Sequence, residues 1–535
     1  MTAPPSKTAA TSSYWWYRWY VLGLLMVIYA INFIDRQIVT ILAPYLKADL
    51  NLTDAQIGLL YGTAFATFYA LFGIPLARLA DGWSRVKTIS ISLFSWSALT
   101  SASGFASNFA QLGAARLLVG LGEASASPAA VSLLSDYFPK QMRASIFALY
   151  TVGMYAGLGL SLMIGGTIVA NWSGQFGLAG WQAAYIIVGL PGILLGVLVF
   201  LTVREPVRGA FDGHAHPGTP HPFRDTLREA ATMFPPFSII LLRRSGGGGA
   251  VLRQNLFCLV LVFAAAAAID AMTGTLLSPA KRAHLFSIGK FVVTTNMVQW
   301  LAIAIGVYAA FSWMQSVRLR DPVAYALTMG SRAYRLMSAC CAIFGMFTYG
   351  FGAFVFLYGA QRLGLGPESG FTVGLIAAIA GGLGAAIGGA IGDWMKRRHS
   401  SGRIHFMMVA LIGFSVATYI QFTTADRTVF FAAYCAALLL LSSWAPIMVA
   451  TAQDLVTPQL RGVGFAVQTL ATSLIGLGLG PYLVGFISDV SGDLQLAILS
   501  LLLLMPVLLG LLWRLAVVLP ANESSVVSRA EAAAS

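Results

Sequence analysis

Charge is what this chain lacks most. Lys, Arg, Asp and Glu make up 10% of its 535 residues, where a water-soluble domain carries about 25%. Hydrophobic residues reach 58% and the mean hydropathy is +0.77, which excludes a soluble globular protein and leaves a polytopic membrane protein. Cysteine is equally scarce. Cys258, Cys340, Cys341 and Cys435 all fall in apolar runs without a CxxC pair, so no disulfide frame and no thiolate metal site is expected. His214, His216, His221, His284, His399 and His405 lie in loops or at helix ends without HExxH spacing. No metal, no cofactor and no catalytic residue follow, so a membrane-embedded lipid enzyme is disfavoured. The formal charge is +13, but no basic tract is interleaved with aromatics, so no nucleic acid is expected as a partner. Rings of charge or a filter loop, the marks of a channel, are also missing.

Long apolar runs are abundant instead. A polar tail, 1–18, ends in the interfacial aromatic belt Tyr14 to Tyr20. Six spans follow within 19–203, the first from Trp19 to Pro44 and the rest near 56–80, 88–107, 109–135, 144–169 and 181–203. A polar segment, 204–335, carries an amphipathic stretch (Phe223 to Met233), the linker Ser245 to Gly249 and an extra pair of spans near 254–278 and 289–313. Six more spans fill 336–519, and 520–535 is a tail. The fold class expected is all-α and polytopic: two six-helix halves with two additional membrane helices between them. The first span is too long, and too interrupted by charge, to be a signal peptide. Most of the 33 Lys and Arg fall on the side of the N-terminus, which makes both termini cytoplasmic by the positive-inside rule. The loop with Lys281, Arg282 and Lys290 runs against that pattern. Short loops and no targeting segment point to a bacterial inner membrane.

Charge where it does occur is placed deep. Asp35 and Arg36 interrupt the first span, with Asp35 roughly 24 Å along it. Arg116 and Glu123 lie two helical turns apart on one face of the fourth span, at depths that bracket Asp35. A charge inside hydrocarbon costs a few kcal/mol or more, roughly, unless it finds a partner or a wet cavity. Two carboxylates and two arginines therefore converge in the first half, either as a static ion pair or as a site. As a site, Asp35 and Glu123 would take and release protons as the cavity dries and wets. Arg36 and Arg116 would be their counter-ions, or would hold an anionic headgroup by bidentate contact. The second half has no ionisable residue deep in its spans. Tyr349, Phe354, Tyr358, Trp444, Gln468 and Thr469, with Asn32 in the first half, are the pocket candidates, suited to an amphipathic substrate. Asp270, alone in the extra pair, is expected at a solvated helix end.

The two halves repeat. The joint after the fourth span, DYFPKQMRASIFA from Asp136, matches DLVTPQLRGVGFA from Asp454, with Asp, Gln, Arg, Phe and Ala at the same offsets. The joint after the second, LADGWSRVK from Leu79, has its counterpart in IGDWMKRRH from Ile391. Parallel repeats of this kind place a site between them at the midplane, opened alternately to each side. With Asp81, Arg85 and Lys87 after its second span, and the closer copy GAIGDWMKRR from Gly389, the chain resembles the major facilitator superfamily. Within it, NFIDR (Asn32 to Arg36), ARLLVGLGEASASPAA (Ala115 to Ala130) and DYFPKQMR resemble the spinster-like lipid transporters. That resemblance implies an amphipathic lipid substrate, such as a lysophospholipid or a sphingosine-1-phosphate-like molecule; with the repeats and the deep carboxylates, the expectation is proton-coupled, alternating-access transport by a monomer. It also implies latches on the cytoplasmic side: Asp81, Arg85 and Asp136 in one half, Asp393, Arg397 and Asp454 in the other. A proton-coupled exporter of drugs or small organic anions is the alternative on the same scaffold.

Overall fold

A backbone in hydrocarbon must satisfy its own polar groups, and long apolar segments do so as helices. The computed structural model of the protein describes residues 10–139, 142–208, 220–282, 284–457 and 460–534. Expectations for 1–9 of the tail, for His214 and His216, and for the matched Gln141 and Gln459 lie outside them. Among the described residues, thirteen helices are long and apolar enough to cross a membrane. With one more polar helix they are, in chain order, α1 (Ala10–Asp49), α2 (Asp54–Gly82), α3 (Arg85–Ser103), α4 (Phe109–Tyr137), α5 (Arg143–Asn171), α6 (Gly180–Thr202), α7 (Gly249–Leu276), α8 (Thr295–Arg320), α9 (Arg332–Leu363), α10 (Ser369–Arg398), α11 (Gly402–Thr423), α12 (Arg427–Asp454), α13 (Arg461–Ser491) and α14 (Leu494–Ser524). Helix α3 is the polar one, diluted by Ser90, Ser92, Ser95, Ser97, Ser101 and Ser103. It packs lengthwise against α4 and α6, and Ser90 Oγ donates to Gly196 O at 2.5 Å.

The protein is a multi-pass membrane protein of two six-helix halves, α1–α6 and α9–α14, with α7 and α8 between. Helix ends alternate between two faces. The linker face carries the start of α1 and residues 203–208 and 220–248; the hairpin face carries the connection from α7 to α8. There the structure departs from expectation. The helix expected from 289 starts at Thr295, because His284–Ile288 and Phe291–Thr294 form an antiparallel hairpin closed at Gly289, whose φ is 62°. The apolar, β-branched run FVVT suits a strand as well as a helix. Helix α8 lies against α2 and α13, whereas α7 rests on α8 and exposes Leu256, Phe257 and Val260.

Breaks recur at equivalent places. Helix α4 is interrupted after Glu123 and α12 after Ser442, each followed by a proline, Pro128 or Pro446. A proline has no N–H for the carbonyl four residues back, here that of Ala124 or Ser442. Helix α2 is interrupted at Gly62, and α13 widens into a π-helix over Thr472–Leu477. The halves approach closely where α5 meets α10: a Cβ at Gly374 would lie 2.4 Å from Gly159 O.

On the linker face, helix Pro222–Ala231 straps α2 to α8. Its buried Glu229 receives Arg320 through Nη1 and Nη2, both at 3.0 Å, Trp313 Nε1 at 2.9 Å and Arg78 Nη1 at 2.7 Å. The tail beyond α14 is also ordered: helix Val526–Ala534 packs on Pro322–Leu327.

Two outcomes follow. Gly374→Val should cost about 1–3 kcal/mol by overpacking, read as a lower unfolding temperature in detergent, while Gly382→Val, with nothing within 4 Å of its Cβ, should leave it unchanged. Burial raises the Glu229 carboxyl, but the hydrogen bonds and charge of Arg320, then Trp313 and Arg78, outweigh it and hold the group below the ordinary glutamate range. A depressed carboxylate stabilises above its unfolded value of about 4.3 and loses that contribution as the pH falls through its folded value. Glu229→Gln should therefore speed hydrogen exchange of residues 222–244 at neutral pH, with the difference from wild type vanishing once the carboxyl protonates.

Candidate functional site

The deep charges of α1 and α4 are brought together by the packing of the first half. Arg36 Nη2 donates to Glu123 Oε2 at 3.0 Å, with both side chains buried. Rings enclose the guanidinium: its Cζ lies 4.5 Å from the Phe65 centroid, 4.6 Å from Tyr69 and 4.9 Å from Phe33. Cations are attracted to ring faces, most strongly where water is excluded. Asn32, one turn before Arg36, faces the Glu123 carboxylate. From the second half Tyr349 faces Arg36, and its ring belongs to α9. The pair thus sits where the halves meet.

Asp35 points elsewhere. Successive residues on a helix diverge by about 100°, and here that carries the Asp35 side chain away from Glu123 toward Trp96 and Thr100 of α3. It is fully buried, and among the described residues neither oxygen has a hydrogen-bond partner. Trp96 Nε1 and Thr100 Oγ1 are likewise unpartnered. Among the described residues Arg116 reaches no carboxylate. Its Nη1 donates to the Asp35 main-chain oxygen at 3.0 Å, tying α4 to α1. Of the four charges only Arg36 and Glu123 pair directly.

The second-half candidates divide. Phe344 stacks on Trp444 at 3.8 Å, and Gln468 Nε2 donates to Cys341 Sγ at 3.3 Å, beside the π-helix. Thr469 is half-buried and Phe354 fully buried. Tyr358 does not join them: its hydroxyl donates to Phe422 O at 2.6 Å and its ring packs on Phe422 and Phe430. It is a core residue of the second half. The rings around Arg36, by contrast, came from α1 and α2, where Phe33, Phe65 and Tyr69 look like ordinary apolar positions.

Ion pairs on the linker face differ from those expected. Arg85 pairs with Asp136 and, through Nε at 2.7 Å, with Glu205. Asp81 is exposed and makes no direct pair among the described residues. Glu205 takes its place because it also receives Ser84 Oγ at 2.8 Å and Val86 N–H at 3.0 Å, at the start of α3. In the second half Arg403 bridges Asp393 at 2.6 Å and Asp454 at 2.7 Å, and Lys396 reaches Asp454 at 2.5 Å. Arg397 is exposed: one residue past Lys396, it lies on another face of α10. All these pairs stay within one half. Hydrogen bonds between the halves, among the described residues, run from α2 to α13 instead. Asp489 accepts from the N–H groups of Asp54 at 3.2 Å and Ala55 at 2.8 Å, and Ser488 Oγ donates to Asp54 at 2.8 Å.

This plan of two six-helix repeats matches a family model, Major Facilitator Superfamily, over residues 25–481. The chain belongs to the major facilitator superfamily. Protein spinster of Drosophila melanogaster is 29% identical over 39% of this chain and 34% of its own length. An MFS-type efflux pump of Mycolicibacterium smegmatis is 31% identical over 35% of this chain and 42% of its own, and a hexuronate transporter of Bacillus subtilis 26% over 41% and 51%. The chain thus matches about a third to a half of the length of these curated relatives. Among solved structures, an inward-facing bacterial homologue of the human lysosomal transporter spinster superposes with TM-score 0.60 at 23% identity, covering 96% of each chain. A peptide transporter in complex with sulfate gives 0.64 at 14% identity and 95% of each.

For this member of the superfamily, Arg36→Met should cost about 3–5 kcal/mol, since it leaves Glu123 buried without its cation. Arg36→Met with Glu123→Gln should recover most of that, measured as unfolding temperatures in a double-mutant cycle.

Proposed function

We propose that the protein is a secondary active transporter that works by alternating access, coupled to protons, and moves an amphipathic lipid with an anionic headgroup, such as a lysophospholipid. The observation that carries this is the Arg36–Glu123 pair, caged by Phe33, Phe65 and Tyr69 and faced by Tyr349 of the other half. Arg36 has one carboxylate partner. When Glu123 takes a proton, the guanidinium loses that partner and accepts a phosphate or carboxylate headgroup in its place. Release of the proton re-forms the pair and expels the headgroup. Proton and substrate thus compete for one arginine at the junction of the halves.

Asp35 is the second proton carrier. A buried carboxylate without a hydrogen-bond partner is costly, and carrying a proton, or gaining the Trp96 and Thr100 donors as α3 shifts, relieves that cost. The apolar body of the substrate lies along the aromatic wall of Phe344 and Trp444. The likeness to spinster supports a lipid substrate. The linker face is cytoplasmic, the termini lie there, the membrane is a bacterial inner membrane, and a single chain is the working unit. The clasp of Asp489 on α2 closes the opposite face, which supports an inward-facing state. A second reading, export of a drug or small organic anion, is favoured by the hexuronate transporter and efflux pump among its relatives, because the same arginine suits a carboxylate.

Uptake of labelled lysophospholipid into proteoliposomes should rise several-fold under an imposed pH gradient, and Glu123→Gln should abolish that stimulation. Equal, gradient-insensitive transport by both would leave Glu123 a structural residue. Transport of a labelled uronate but no lysolipid would favour the organic-anion exporter.

A further inference from the structure

A cavity of about 300 Å³ opens on the hairpin face, far from Arg36 and Glu123, between the last turn of α7, the start of α8 and the outer ends of α2 and α13. Its size is in the range that holds small ligands. The wall is mixed, with Ala55, Ala271 and Leu277 beside polar groups of both signs of charge: Asp270, Lys281 and Arg282, with Thr53, Asn296 and Tyr482. Asp270 lies near the outer end of α7, as its sequence suggested, but it is hydrogen-bonded as well as solvated. Its Oδ1 accepts from Asn296 Nδ2 at 2.6 Å, and Tyr482 OH donates to Asn296 Oδ1 at 2.6 Å. These bonds hold one side of the cavity rigid. On the other side Arg282 uses its Nε on Leu277 O at 3.2 Å, and among the described residues its two Nη groups have no partner. Lys281 reaches in beside it, its Nζ 3.0 Å from Asp489. Lys281 is thus matched by Asp489, and Arg282 is the cation of this wall whose donors are unspent, on a face where the positive-inside rule disfavours basic residues.

Position decides what anion. Helix α7 packs mainly on α8, and in its last turns Met272 and Leu276 are exposed. In a membrane that surface meets acyl chains, and the cavity opens beside it at the helix ends. We infer that this cavity binds the phosphate-bearing headgroup of a bilayer lipid, with Arg282 and Lys281 on the phosphate and the acyl chains along Met272 and Leu276. The guanidinium offers paired donors to phosphate oxygens. The free Asp270 oxygen accepts a headgroup amine or hydroxyl. Lys281 also holds Asp489, which caps α2 across the junction of the halves, so headgroup and clasp share one cation. None of this depends on the substrate or on proton coupling.

Native mass spectrometry of the detergent-solubilised full chain, titrated with phosphatidylglycerol, phosphatidylethanolamine, diacylglycerol or inorganic phosphate, tests the site. Two variants approach it differently. Arg282→Gln removes the phosphate donor, and Gly274→Trp fills the cavity from a position where a Cβ meets nothing within 4 Å. The expected result is one tightly retained phospholipid on wild type, weakened about tenfold by either variant, and no retained diacylglycerol. Equal phospholipid retention by wild type and both variants would overturn the site. Inorganic phosphate bound as tightly as phospholipid would overturn the lipid as its source.

Discussion

A charge in hydrocarbon must be answered locally, and the Arg36–Glu123 pair is the answer around which the first half is arranged. The guanidinium is ringed by Phe33, Phe65 and Tyr69, faces Tyr349 across the junction and keeps a single carboxylate partner. Helix α4 breaks directly after Glu123, with Pro128 withholding the N–H that would have closed its turn. Arg116, further along the same helix, anchors to the α1 backbone instead of competing for a carboxylate. A buried ion pair is weak evidence for stability. This one has a single ion-pair tie and lies next to a helix break and the junction of the halves.

Unequal ends follow from how the polar residues are spent. On the linker face, ion pairs of Arg85, Arg403 and Lys396 lock helices inside each half and leave the halves free of one another. On the hairpin face, Asp489 and Ser488 of α13 bind the first turn of α2. A helix N-terminus has unsatisfied N–H groups, so a carboxylate from the other half is a strong but separable cap. Glycines let the α5 and α10 backbones approach closely, which suits two bodies that rock. The inserted pair is attached at both ends of α2: Glu229 straps it on the linker face, and Lys281 joins the clasp on the hairpin face. Movement of α2 therefore carries α8 with it.

Apolar run length and the scarcity of charge were enough to read the helices, their order and the two-fold repeat in the sequence, because a membrane tolerates few other backbones. Deep charges were legible for the same reason: Asp35, Arg36, Arg116 and Glu123 stand out against a background where ionisable residues are costly. The hairpin at 284–294 was not, since a short β-branched apolar run satisfies either periodicity and the choice was made by its turn at Gly289.

Pairing was decided only in three dimensions. Helical spacing set the depth of each charge but not its direction, so the turn of α1 sent Arg36 to Glu123 and Asp35 toward Trp96, while Tyr358 went into the core of the second half. At the surface, Glu205, Arg403 and Lys396 outcompeted Asp81 and Arg397 by geometry, a matter of which face of each helix meets its neighbour. Sequence alone determined which residues had to find partners in a medium without water. Tertiary packing decided which partners they found, because hydrogen bonds and ion pairs act over a few ångströms and depend on helix rotation that no linear spacing records.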